Sequence, residues 1–231
     1  MRIKVLNKAF ISIVFCSMAF VPIECHGQYI FDKVKSLVKK DQPKQAKVAD
    51  EDIYDLTLEQ NLNNPKVGKE VERICEYQKK KKKNLEKMGY PVTLMRNNEV
   101  VKVVLSSNNL FNPSDTVLTK RGELVLKPFL KELETADFYR MILVMYSDDT
   151  GTASYNNKLT RARVENIFEW FMNQKATKPE ISTDFILPYF LGNNDPIYPN
   201  NSMDNRERNR RLEILLVPGK AMIELSKKKE L

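Results

Sequence analysis

The residues best equipped for chemistry lie in SDDTGTASYNNKLTRAR, residues 147–163, where the carboxylates of Asp148 and Asp149 precede the guanidinium of Arg163 by a polar turn and a helix-forming stretch. A carboxylate and a guanidinium brought together can simply hold each other, an ion pair contributing at most ~1 kcal/mol when exposed. They can also form a receptor for a zwitterion, in which Asp148 takes an ammonium group and Arg163 grips a carboxylate in bidentate fashion. Adjacent aspartates could share a proton in a hydrolytic mechanism, but no companion motif supplies a nucleophile or a metal. Leu159, Arg163 and Ile167 recur at steps of four, so Arg163 starts near the core face of its helix. A guanidinium there needs an anionic partner, because burying it unpaired is costly. The residues themselves leave the internal pair and the receptor both open.

Other chemistries are excluded by where the reactive side chains fall. The chain opens with MRIKVLNK, followed by the uncharged run AFISIVFCSMAFVPI (residues 9–23) and Glu24. This is the pattern of a secretory signal peptide, with cleavage expected after Gly27. The run is shorter than the ~20 residues that span a bilayer as a helix. Lipoprotein processing at Cys25 is the rival, although Glu24 stands where a small residue is expected. The single histidine, His26, leaves with such a signal, as do Cys16 and Cys25, so Cys75 is the one cysteine of the mature chain. That excludes Ser-His-Asp and Cys-His nucleophile systems, a histidine-ligated metal site and an internal disulfide. No catalytic residue, metal or cofactor is expected. The net charge of +8 falls to about +6 on removal of residues 1–27, which carry three basic residues and one acid. Such a charge suits an anionic polymer or membrane surface.

Several elements must position Asp148 and Arg163. Residues 28–88 are polar and broken by prolines: an amphipathic helix is predicted over 28–40, a linker over 41–52, and a second helix after Pro65 with Val71, Ile74, Cys75 and Gln78 on one face. The lysine run 79–83 reads as that helix's solvated side, with Cys75 a small buried hydrophobe. From Gly89 the character changes. YPVTLMRNNEVVKVVLS, with Asn97-Asn98 at its centre, predicts a β-hairpin or a strand entering a core. Leu126, Phe129, Leu130 and Leu133 predict an amphipathic helix capped by Thr119 and kinked at Pro128. FYRMILVMYS is a buried strand ending at the acidic turn, and a helix over 155–174 turns Val164, Ile167, Phe168 and Phe171 inward. DFILPYFL and LEILLV supply the remaining strands. Alternating strands and helices predict an α+β sandwich with helices on one mixed sheet, and ~130 residues suffice for an independent core.

The motifs SDDTG…NNKLTRAR, GNNDPIYPN and RERNRRLEI, in that order, resemble the C-terminal domain of outer membrane protein A, the OmpA-like domain also found in peptidoglycan-associated lipoproteins and flagellar stator proteins. Asp148 and Gly151 match its turn; Asn156, Leu159, Thr160 and Arg163 its helix; Gly192 and Pro196 its loop; Asn209, Arg210, Arg211 and Glu213 its last motif. Leu110, Phe111 and Leu118 match its first loop. The resemblance covers roughly residues 90–218. It implies that Asp148 and Arg163 bind diaminopimelate of the peptidoglycan stem peptide, with Asn156, Leu159, Phe111 and Arg210 around them. The sequence departs from the pattern at Met145-Tyr146-Ser147 and Val164, where the bulkier Tyr146 and Val164 are expected to reshape the pocket rim.

The organisation expected is a signal peptide (1–27), a helical and linker segment (28–88), an OmpA-like domain (89–219) and a basic C-terminal tail (220–231). The function implied is non-covalent peptidoglycan binding in the periplasm of a Gram-negative bacterium. The chain would associate with the outer membrane and tether the envelope, or an envelope protein reached through residues 28–88, to the wall. No nucleic-acid partner is expected. The competing function is a scaffold or secretion-machine component that keeps the fold without binding the wall.

Overall fold

The computed structural model describes residues 56–69 and 71–231. The expected signal peptide, the 28–40 helix, the linker, Cys25 and His26 lie outside the described residues.

A five-stranded sheet organises the molecule, in the order β1-β2-β5-β3-β4. The first hairpin follows from local chemistry: β1 (Val92–Met95) and β2 (Val100–Ser106) pair antiparallel, Val92 opposite Val103. Arg96, Asn97 and Asn98 between them all take positive φ, the conformation asparagine tolerates best among side-chain-bearing residues. The central strands β3 (Tyr139–Tyr146) and β5 (Arg211–Pro218) are buried along their entire length on both faces, as their continuous apolar runs require. They pair antiparallel, while β3 pairs parallel with β4 (Ile186–Gly192). A parallel pair needs a crossover, supplied here by the helix Ala153–Gln174. Pro188, which cannot donate to a ladder, sits in β4 at the sheet edge.

Numbered in chain order, the helices are α1 (Leu58–Leu62), α2 (Val71–Lys87), α3 (Lys120–Leu126), α4 (Ala153–Gln174), α5 (Met203–Asn209) and α6 (Lys220–Lys228). Thr119 caps α3 through the Gly122 N–H at 3.0 Å. The kink expected at Pro128 takes the form of a change to 3₁₀ geometry over Lys127–Leu133, with Pro128 in its first turn, where the missing N–H costs least. Leu126, Phe129, Leu130 and Leu133 are all buried.

Segments flanking the 89–219 span pack into the same body. On α2, Ile74, Gln78 and Leu85 are buried, and Gln78 accepts from the Tyr139 hydroxyl at 2.9 Å while donating to the Glu99 carbonyl at 2.8 Å. Lys79, Lys80 and Lys83 face solvent, whereas Lys81 bridges to Glu132 at 2.8 Å. Cys75 is half-buried rather than fully enclosed, its sulfur 3.2 Å from the Asn97 carbonyl. On the opposite flank, Leu58 and Leu62 of α1 pack on the cluster of Val100, Ile142, Val144, Tyr146, Leu187, Leu215 and Val217. Asn61 donates to the Tyr189 hydroxyl at 2.6 Å, which itself donates to the Leu56 carbonyl. Residues 220–228, read from the sequence only as a basic tail, form α6. Met222, Ile223 and Ser226 bury one side of it, and Arg73 of α2 donates to the Ser226 carbonyl at 2.8 Å.

Candidate functional site

β3 ends at Tyr146, and the chain leaves the sheet through Ser147, whose N–H donates to the Gly192 carbonyl at 2.7 Å. This places Asp148 at the C-terminal edge of the sheet, between the parallel pair and the start of α4. Asp148 Oδ1 accepts the Thr150 N–H at 2.8 Å, an Asx-type turn that closes the loop, and Gly151 follows at φ +92°. Asn156, buried on the first turns of α4, donates to the Asp148 carbonyl at 3.2 Å and so fixes the loop from the helix side. Thr152 caps α4 through the Tyr155 N–H.

The internal pair between Arg163 and Asp148 or Asp149, left open by the sequence, does not form. Asp148 Oδ2 pairs with Nη1 of Arg210, and Asp149 pairs with Arg206 at 3.2 Å on the surface. Arg163 is 4% exposed and makes its contacts with neutral acceptors. Its Nε donates to the Asp115 carbonyl at 2.8 Å, Nη1 to Ser107 Oγ at 2.9 Å and Nη2 to the Asn112 carbonyl at 3.3 Å. Its Cζ lies 4.9 Å from the centre of the Phe111 ring. Three of the five guanidinium N–H donors are thereby used, and among the described residues no carboxylate lies within ion-pair distance of it.

Ser107 joins the two halves of the corner. Its hydroxyl receives Arg163, while its backbone N–H donates to the Arg210 carbonyl at 2.9 Å, and Arg210 in turn holds Asp148. Asp148, Asn156, Arg163, Phe111 and Arg210 therefore meet at one end of the sheet. Leu159 lies half-buried on α4, one turn before Arg163. Arg210 is more than the nearby supporting group the resemblance implied, being the direct partner of Asp148.

Electrostatics set the two key groups apart. Burial pushes the Asp148 carboxyl up, but the Thr150 N–H and the Arg210 guanidinium outweigh it and hold the group below its ordinary value. Asp148 and Asp149 are each paired with a different arginine, Arg210 and Arg206. Burial lowers Arg163 from the ordinary arginine value, Tyr155 and Asp115 oppose that, and Arg210 adds to it by repulsion. An arginine still stays cationic. The corner thus offers a buried cation lacking a counter-ion in contact, beside a carboxylate whose two oxygens each hold one donor and can accept more.

Tyr146 does not stand on the rim. Its side chain is buried beneath Arg211, whose Cζ lies 3.7 Å from the ring centre, and Arg211 is fixed by Glu213 at 2.8 Å and the Asp195 carbonyl at 3.1 Å. Because successive strand residues face opposite sides, Tyr146 at the end of β3 turns into the second core layer. Val164, 1% exposed, packs in the core beneath α4. The remaining motif residues also have structural duties. Gly192 takes φ +56° where a Cβ would lie 2.2 Å from Asn157 Oδ1. Asn209 clamps the preceding loop through Tyr198 and Asn200.

Sequence reasoning missed Ser107, Asn112, Asp115 and Thr150. Thr150 was legible as the N–H donor two residues after an aspartate in a turn. The others act through a backbone carbonyl or a single hydroxyl 48 to 56 residues from Arg163, which no spacing rule reveals.

With this geometry in place, comparisons with known proteins define the class. Residues 110–210 match the model of the OmpA family. It is 28% identical over 116 residues to outer membrane protein A of Bordetella avium, covering 50% of this chain and 57% of that protein. It is 25% identical over 130 residues to the probable lipoprotein YiaD of Escherichia coli strain K12, covering 56% of this chain and 57% of that one. The chain thus spans little more than half the length of these relatives. Among solved structures, a MotB-like protein from Desulfovibrio vulgaris superposes with a TM-score of 0.55 at 21% identity, covering 64% of this chain and 95% of that one. The five-stranded mixed sheet with its helices is the OmpA-like fold.

Proposed function

We propose that this chain binds peptidoglycan without covalent attachment, taking the diaminopimelate side chain of the stem peptide into the corner between Asp148 and Arg163. The observation that carries the reading is the state of Arg163: a buried guanidinium held by two carbonyls and a hydroxyl, with two N–H donors left for a ligand. A carboxylate from outside is what such a group lacks. Diaminopimelate presents a carboxylate and an ammonium on one side-chain carbon, and Asp148 supplies acceptor capacity for the second. Arg210, already on Asp148, keeps that carboxylate ionised. Phe111 and Leu159 give the aliphatic stem an apolar wall, and Asn156 keeps the Asp148 loop in place.

Binding of this kind needs preorganised charges and no reacting group, so the protein acts as an anchor rather than an enzyme. The periplasm, at the outer membrane, is the compartment in which such an anchor meets the wall. What it tethers would be reached through residues 28–88 or through a lipid at Cys25. The test is co-sedimentation of the purified chain with isolated diaminopimelate-type sacculi, beside Asp148→Ala and Arg163→Ala with folding checked by circular dichroism. Wild type should pellet, the folded variants should not, and free diaminopimelate should compete. A folded wild type that stays in solution would transfer the lead to a scaffold that keeps the fold alone.

A further inference from the structure

The outer side of α2 carries lysines that the rest of the fold does not pair. Lys79, Lys83 and Lys87 follow one another at steps of four, and Lys80 stands seven residues before Lys87, so the four share the solvent side of the helix. Ile74, Gln78 and Leu85 bury the opposite side. All four lysines are exposed, and among the described residues no carboxylate lies within ion-pair distance of them. The neighbouring Lys81 and Lys82 are taken by Glu132 and Glu86. Residues 79–87 thus hold six lysines against one glutamate, while the other acids of α2, Glu72 and Glu76, lie in its first turns.

The end of α6 extends this face. Arg73, in the first turn of α2, donates to the Ser226 carbonyl at 2.8 Å, and Lys228 and Lys229, both exposed, follow directly. At the other end Met88, 56% exposed, stands next to Lys87. Both helices sit at the start of β3: Gln78 accepts from the Tyr139 hydroxyl at 2.9 Å, and the Gly219 N–H leading into α6 donates to the Phe138 carbonyl at 2.9 Å. Asp148 lies beyond the opposite end of that strand, whose eight residues extend ~26 Å.

A convex helix surface suits a plane of charge better than a peptide that must be gripped in a groove. Lysine presents a hydrated point charge on a flexible stem, fitted to diffuse attraction, whereas a shaped anion favours the fork of arginine. Roughly four to eight basic side chains gathered on a helix are what an anionic lipid surface attracts, each one near the surface adding to the binding.

We propose that the face formed by α2 and the end of α6 docks on an anionic phospholipid surface. Lys79, Lys80, Lys83 and Lys87 meet the phosphate groups, Lys228 and Lys229 widen the contact, and Met88 enters the headgroup layer. Because this face and Asp148 lie at opposite ends of β3, docking leaves the Asp148–Arg163 corner open and is independent of what that corner binds.

The purified chain is titrated with vesicles of phosphatidylethanolamine and phosphatidylglycerol in equal parts, and with vesicles of phosphatidylcholine alone. Wild type should bind the anionic vesicles at roughly 0.1 M salt, come off them as added salt screens the charges, and leave the neutral ones unbound. Lys79→Glu/Lys83→Glu should bind at least tenfold more weakly. Lys120→Glu/Lys127→Glu, the same charge change on α3 and the 3₁₀ segment after it, should bind as wild type does, circular dichroism confirming that both variants are folded. Wild type that ignores anionic vesicles, or binds neutral ones equally, overturns the proposal. Equal affinity of wild type and Lys79→Glu/Lys83→Glu overturns it by assigning binding to another part of the chain, and equal loss in both double variants overturns it by leaving net charge as the cause. Polyglutamate bound where the vesicles are not overturns it in favour of an acidic protein partner.

Discussion

Arg163 on α4 donates to the hydroxyl of Ser107 at the end of β2, 2.9 Å away, and the Ser107 N–H is itself bonded to the carbonyl of Arg210. A single small residue thus sets the position of one guanidinium and the backbone that carries the other. Hydrogen bonds to charged groups contribute ~1.5–3 kcal/mol. Ser107→Ala should therefore lose ~2 kcal/mol in urea unfolding, and it should weaken sacculus binding more than its folded fraction accounts for. Ser107→Thr should restore both in part.

The Asp148 carboxyl gives stability a defined pH dependence. Its folded pKa lies below the ordinary 3.8, so the unfolded chain binds the proton more readily than the folded one. The contribution is fully present above the ordinary value and is lost as pH falls through the folded one. The pair with Arg210 is partly exposed, so its contribution is about 1 kcal/mol. Wild type should exceed Asp148→Asn in thermal stability at pH 7, and the gap should close below pH ~3.8, the ordinary carboxylate value. A gap that persisted into acid would remove the ion pair as its source.

Gly122 controls the loop that holds Arg163. A Cβ there would sit 2.7 Å from the Leu110 carbonyl oxygen and 2.9 Å from its Cα, backbone atoms at the start of the segment carrying Asn112 and Asp115. Gly122→Ala should lose ~1–3 kcal/mol through overpacking. Because the displaced loop supplies two of the three acceptors of Arg163, wall binding should fall with it, as pelleting at matched folded concentration would register.

Tyr146 separates packing from recognition. With its ring buried beneath Arg211, Tyr146→Ala should cost ~3–5 kcal/mol as a large-to-small core substitution. The affinity of the remaining folded molecules for sacculi should be unchanged. A stable Tyr146→Ala with altered affinity would return this residue to the pocket rim.

Much of the architecture was legible because it rests on short-range periodicity. The Asn97-Asn98 hairpin, the apolar run of β3 and the stripe Val164, Ile167, Phe168 and Phe171 each carry their own signal, and burial follows it. Arg163 was legible as core-facing for the same reason. Its partners were not, because two are backbone carbonyls in a loop that only the folded chain brings to α4. Arg210 was visible as a motif residue, yet its bond to Asp148 spans 62 positions and depends on the register of β5 beside β3. α6 was hidden because its three lysines match in number the three residues that bury its inner side, one of which, Ser226, is polar.

The most direct test of zwitterion recognition is calorimetric titration of the purified chain with two soluble stem peptides, identical except for diaminopimelate or lysine at the third position. Lysine keeps the side-chain ammonium and lacks the carboxylate that Arg163 is left to receive. The diaminopimelate peptide should bind one per chain and the lysine peptide at least tenfold more weakly, the difference vanishing in Arg163→Ala. Equal binding of both peptides to wild type would contradict the role assigned to Arg163.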